Sequence, residues 1–203
     1  MAGWSQTLNA GDAHTAVVEG MPVAQEQITG VLTRLSCVFE EELSDIVARD
    51  REYVAAEMTA FLWFWLSSLS CPVVNRPTSA GLSGACRQEY WASIAAQADL
   101  PTQPVRRRAI LAASGPEETP CAPATVAVVG QRVLGETDPM LQKHALKLAE
   151  LAGLELLAVR FSGPEHDARF LTADPFPDLS DDRVATAVLE RLCSNLNNKR
   201  HGC

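Results

Sequence analysis

Paired cysteines are missing from this chain of 203 residues: Cys37, Cys71, Cys86, Cys121, Cys193 and Cys203 are scattered without a Cys-x-x-Cys spacing. Neither a disulfide framework nor a zinc ribbon is implied. The opening MAGWSQTLNAGD has no basic region followed by an apolar run, so it does not read as a secretory signal. Together these absences point to reduced thiols in the cytoplasm. The histidines His14, His144, His166 and His201 show no H-E-x-x-H spacing, and Gly81-Leu-Ser-Gly84 is not a Gly-x-Ser-x-Gly nucleophile elbow. A tail cluster of Cys193, His201 and Cys203 is a thin basis for a metal site. Any Cys-His nucleophilic pair would have to be assembled by the fold. No strand–Gly-x-Gly-x-x-Gly–helix unit opens the chain, which argues against a dinucleotide-binding start. Positive charge is scarce as well: the formal net charge is −8, which argues against a nucleic-acid surface. The basic cluster Arg106-Arg107-Arg108 is either a solvated loop edge or a contact for a phosphate or acidic partner.

What is present is ordinary globular composition, 47% hydrophobic and 21% charged. The length suits one domain or two small lobes. The span Met58 to Asn75 carries no charge, but its serines and Pro72 make a buried helix followed by a strand a better reading than a membrane span. No membrane association is expected.

Along the chain, Thr15–Glu19 and Gln27–Arg34 read as short β-like runs around the turn Gly20-Met-Pro22. Ser44-Asp45 is the expected cap of a long helix with Ile46, Tyr53, Met58, Phe61, Leu62 and Trp65 at helical spacing. Its Trp63-Phe-Trp65 end is apolar almost all round, which requires burial or cover by another subunit. Cys71-Pro-Val-Val-Asn75 reads as a short parallel strand, and ligands commonly sit at the loop leaving such a strand. Asn75, Arg76, Ser79 and Ser83 are therefore ligand candidates; read structurally, the same loop makes Asn75 a cap and turns Arg76 to solvent. Gln88–Ala98 is a helix, and a Pro-punctuated stretch runs from Pro101 to Pro123, with Arg108–Ala113 a strand or short helix inside it.

The second half is more regular. Thr125–Val129 and Arg132–Glu136 form a hairpin around Gly130-Gln131. Asp138 caps a helix with Pro139 at its first position and Gly153 past its end. Gly153–Phe161 and Ala168–Leu179 read as a pair of adjacent buried strands, and Ser180-Asp-Asp182 starts a last helix whose polar tail should fray from Ser194 onward.

The helix Ala145–Ala152, the run Gly153-Leu-Glu-Leu-Leu-Ala-Val-Arg-Phe161, and Phe170-Leu-Thr-Ala-Asp-Pro-Phe-Pro177 together resemble the C-terminal end of ATP-grasp ligases of the glutathione synthetase and ribosomal-protein glutamate-ligase type. The hairpin Val126–Leu134 resembles the strand pair just upstream, and Arg51–Glu57 through Cys71–Pro77 resembles the pre-ATP-grasp domain of that family. The resemblance implies an α/β fold: a pre-ATP-grasp-like parallel sheet with helices over 15–113, a Pro-rich junction over 114–124, and a small α+β C-terminal lobe over 125–196.

In that family the first of the paired strands carries an Asp and the second a Glu-x-Asn, ligands for the magnesium that neutralises charge in phosphoryl transfer. Here the corresponding positions are Arg160, Thr172 and Asp174. A cation in place of a carboxylate repels a divalent ion, and Arg160 and Asp174 are expected to pair where the metal would sit. No lysine precedes Lys143, and the lobe whose lysines hold ATP is replaced by the Pro-rich stretch. The resemblance thus implies a degenerate, truncated ATP-grasp-like pseudoenzyme without catalytic residues, metal or cofactor. Its expected role is that of an accessory subunit in a biosynthetic or peptide-modifying complex. The partner is a protein, in a hetero-complex or homodimer, meeting the apolar surface around Trp63–Trp65 and the junction. A peptide or small carboxylate is its ligand at Asn75, Arg76, Ser83, Arg160 and Asp174. The alternative is a minimal ATP-dependent carboxylate-amine ligase, or a small-molecule-binding enzyme, with Arg160 gripping a carboxylate or phosphate.

Overall fold

A computed structural model of the chain describes residues 15–84, 87–102 and 123–200. Arg106–Arg108, Ser114–Pro123 for the most part, and Cys86, Cys121 and Cys203 lie outside the described residues. The backbone of the second half is a four-stranded antiparallel sheet in the order β6-β5-β7-β8. Its strands are β5 (Ala124–Val129), β6 (Arg132–Leu134), β7 (Leu156–Phe161) and β8 (Phe170–Asp174).

The sheet is buried on both faces because helices cover both. On one face Val126, Val128, Leu157, Val159 and Phe161 pack with α2 (Gln88–Gln97) and α3 (Pro139–Ala152) around Trp91. Each such fully buried aliphatic side chain contributes about 1.5–3 kcal/mol. On the other face Ala127, Val129 and Leu156 meet Val184, Ala187 and Val188 of α4 (Asp182–Arg200). Near-continuous apolar runs in β5 and β7 follow from this double cover. α3 begins as its sequence demands: the Asp138 side chain accepts a bond from Met140 N–H, Pro139 occupies the first turn, and Gly153 ends the helix at φ 67°. The helical backbone of α4 continues to Arg200 rather than fraying from Ser194.

The front of the chain is built differently. β1 (Thr15–Val18) and β2 (Met21–Ala24) form a hairpin, and β3 (Val31–Leu32) pairs in parallel with β4 (Val73–Val74). The parallel sheet expected here is thus a pair of very short strands. α1 (Arg51–Ser68) starts later than the Ser44-Asp45 cap suggested. The reason lies in Arg51, whose guanidinium donates to the carbonyls of Ile46 and Ser44 and holds the preceding residues as turns. Trp65 and Leu66 anchor α1 against Ala16, Leu69, Val73 and Leu82. No helix among the described residues is long and apolar enough to cross a membrane.

Candidate functional site

The register of the sheet decides what the end of the α4 face presents. Arg160 lies opposite Thr125 on β5 and Thr172 on β8, while Ala158 lies opposite Asp174. Side chains alternate along a strand, so Thr125, Arg160, Thr172 and Asp174 share the face that α4 covers at its other end. Thr125, Arg160 and Asp174 are exposed there, and Thr172 is half-buried. Diagonal neighbours on adjacent strands stand roughly 7–8 Å apart, within reach of an arginine. Even so, the expected Arg160–Asp174 ion pair does not form. Asp174 turns back to accept the N–H of Phe176 at 2.9 Å, a local bond that the following Pro175-Phe176 turn supplies.

Asn75 enters this region from below. It is buried at φ 57°, a left-handed conformation that asparagine tolerates better than most residues. Its amide donates to the carbonyls of Leu156 at 2.8 Å and Pro175 at 3.1 Å, and its oxygen accepts the N–H groups of Glu155 and Leu156. An asparagine amide has two donors and two acceptor sites, so all are used within the chain. Ser83, also buried, donates its hydroxyl to the carbonyl of Leu35 at 2.8 Å. Arg76 does not simply face solvent: its guanidinium donates to the carbonyls of Leu66, Ser67, Leu69 and Cys71, satisfying the open end of α1. Ser79 sits in the exposed part of that loop. The structure therefore brings Asn75 to the base of the β7–β8 pair and places Arg76 and Ser83 in the frame of the front part, away from Arg160.

The donor set fits a magnesium-nucleotide group poorly. Of the three positions that the resemblance aligns with ATP-grasp magnesium ligands, only Asp174 carries a carboxylate. One of its oxygens is already bonded to backbone, and its diagonal neighbour on β7 presents a guanidinium. Hard divalent ions need several oxygen ligands. Among the described residues no group of three or more His, Cys, Asp or Glu side chains could hold a metal ion.

Sequence reasoning missed the polar seam beside this face. Arg191 grips Glu155 through two bonds, 2.6 Å and 3.1 Å, at the edge of a cleft of about 510 Å³ between Gly130, Glu150 and α4. The two residues are far apart in sequence, and only the apposition of α4 with the start of β7 makes them partners. Arg34 likewise reaches the carbonyl of Pro177 at 2.9 Å. Below it, Asp178 accepts the backbone N–H and the hydroxyl of Ser180, which hold its carboxyl below the usual carboxylate range. Burial pushes the Cys71 thiol up, against smaller lowering influences from its own backbone and Arg76, so it is not an activated nucleophile.

No known family's sequence pattern matches the chain, and no curated protein matches it. Solved structures do. The macrocyclase MdnC of Microcystis aeruginosa MRC, bound with its precursor peptide MdnA, superposes with a TM-score of 0.70 at 13% identity, covering 95% of this chain and 86% of that one. A RiPP-associated ATP-grasp ligase of Chryseobacterium gregarium, in complex with ADP and a leader and core peptide, gives 0.65 at 12% identity, covering 95% and 84%. The macrocyclase MdnB of Microcystis aeruginosa MRC gives 0.59 at 17% identity, covering 92% and 79%. The chain has an ATP-grasp-like α/β fold.

Proposed function

We propose that this chain is a noncatalytic, ATP-grasp-derived binding protein, an accessory subunit that engages a peptide or partner protein in a peptide-modifying system. The observation that carries the reading is the open end of the α4 face, which presents Arg160 and Thr172; the resemblance to ATP-grasp ligases would put magnesium-binding carboxylates at those positions. In this reading residues 15–113 and 125–196 are the retained parts of the scaffold, the junction 114–124 replaces a lost nucleotide lobe, and Asp174 and Arg160 contact the peptide. Asn75, Arg76 and Ser83 keep the supporting strands in place. Similar folds that were crystallised with precursor or leader peptides support a peptide as the ligand class; fold likeness alone does not carry chemistry across.

Titration calorimetry with ATP and Mg²⁺ tests the noncatalytic part, with no magnesium-dependent heat expected. Micromolar binding that requires magnesium would sink it. Copurification from the native host tests the binding part, and Arg160→Glu should release what the wild-type chain retains.

A specific observation favours a second reading. The Arg160 guanidinium is exposed and in no ion pair among the described residues, and its planar fork matches a carboxylate. A minimal ligase or small-molecule-binding enzyme would use that fork. Product formation from a peptide carboxylate and an amine, lost in Arg160→Ala, would establish it.

A further inference from the structure

α1 is apolar on nearly every side, but the body of the protein buries only one of them, through Ala55, Trp65 and Leu66. Met58, Trp63 and Phe64 remain 43–44% exposed, and Phe39 of the segment lying across the helix is 47% exposed. Only Phe39 and Trp63 stand together, in one groove, an arrangement monomeric proteins seldom leave uncovered. Two grooves flank the segment 37–43, and at about 100° per residue their α1 residues fall on opposite sides of the helix. The first, about 640 Å³, runs between Phe39 and Trp63 and is rimmed by Glu40, Glu41 and Glu52. The second, about 770 Å³, is floored by Met58, Phe61 and Leu62 and rimmed by Glu42 and Glu57.

Charge decides what kind of surface fits. All of these glutamates are exposed, no lysine or arginine among the described residues lines either groove, and none of the glutamates has an ion-pair partner within 4.0 Å among them. Glu42 does accept a local bond from Phe39 N–H, which leaves its charge uncompensated. An anionic membrane or a nucleic acid would be repelled. The first groove follows α1 from Glu52 to Trp63, roughly 16 Å of helix, enough to seat about three turns of a second helix lengthwise.

We infer that the first groove docks a basic amphipathic helix of a partner protein, with a large apolar side chain between Phe39 and Trp63 and its lysines or arginines against Glu40, Glu41 and Glu52. This is the helix-in-groove mode. The inference rests on the reading of the chain as a binding protein and names a surface separate from the Arg160 end.

The test is fluorescence anisotropy of the intact chain with a labelled 18-residue probe peptide, leucines at i, i+3, i+4 and i+7 positions and lysines on the other face. The controls are the same composition scrambled so that no apolar face forms, and the same apolar face with glutamates for lysines. Binding by the first probe alone is expected, weakening as salt rises, with a blue shift in fluorescence that Trp63→Phe removes. Glu40→Lys/Glu41→Lys and, separately, Phe39→Ser should each weaken it at least tenfold without altering the melting temperature. Equal binding of the scrambled probe, or an affinity indifferent to the charge reversals, would overturn the proposal. So would a homodimer in sedimentation that Phe39→Ser dissociates, because a second copy would then cover the groove. If the probe fails while Arg160→Glu still releases a copurified partner, the groove is dismissed and the binding-protein reading stands. If the probe binds and Arg160→Glu changes nothing, the reverse holds.

Discussion

The front of the molecule and its back solve the same problem by different means. Between β5 and α4 the backbone is satisfied by a regular ladder, and the side chains have only to be apolar and fill space around Trp91, Phe161 and Leu157. Between β1 and β4 there is too little strand to satisfy the backbone, and side chains do it instead. Arg51 and Arg76 bond carbonyls at the two ends of α1, Ser83 bonds Leu35, Thr59 accepts Val38 N–H, and Asn75 ties the front to the back. The difference shows where each part is vulnerable. The back should fail through cavities and the front through unpaired polar groups.

Trp91→Ala attacks the first of these and should have the largest effect. It empties the space between α2, α3 and the sheet and should cost about 4 kcal/mol in urea unfolding. Asn75→Ala attacks the second. It leaves the N–H groups of Glu155 and Leu156 and the carbonyl of Pro175 buried without partners, at roughly 3 kcal/mol. Asn75→Gly makes the comparison finer: it loses the same bonds but relieves the left-handed backbone, and should be milder than alanine by about 1 kcal/mol. Identical losses for the two would mean that backbone conformation contributes nothing at this position.

Asp138→Ala removes the cap of α3 in the regular half, where a ladder and a core remain, and should cost only about 1 kcal/mol by the same measurement. The smallest effect is expected in acid. Asp178 and Asp181 are held below the ordinary carboxylate value of about 3.9, chiefly by bonds from Ser180 and Arg183 respectively. A depressed folded value adds stability that is complete above the unfolded value and is lost as pH falls through the folded one. Asp178 is exposed and Asp181 half-buried at the surface, so the melting temperature should slip slightly below about pH 4, and less in Asp178→Asn/Asp181→Asn. A variant that is as acid-sensitive as the wild type would put the titrating groups elsewhere.

The regular half was legible in the sequence because its signals are local. Asp138-Pro139 and Gly153 bracket α3, Gly130 marks the hairpin turn at φ 59°, and the apolar runs of β7 and β8 are bounded by turn residues. The front was less legible because its strands are too short to show a period and its helix start depends on the reach of Arg51. The tail of α4 was underestimated: asparagines past Ser194 lower helix propensity, yet the helix extends through them. In the candidate site the sequence put Arg160 and Asp174 on neighbouring strands, whereas the register that sets them on one face and the competition that Phe176 N–H wins for Asp174 could not be read from spacing.

What the sequence determined by itself is the order of elements, the buried character of β5 and β7, and the presence of Arg160 and Thr172, not carboxylates, on the paired strands β7 and β8. These depend on residue type and on contacts a few positions away. The tertiary structure alone decided that Asn75 joins the two halves, that Arg76 closes α1, and that Arg191 and Glu155 meet. Each of those bonds links groups that the chain separates and only packing brings within hydrogen-bonding distance, and no local pattern records such a meeting.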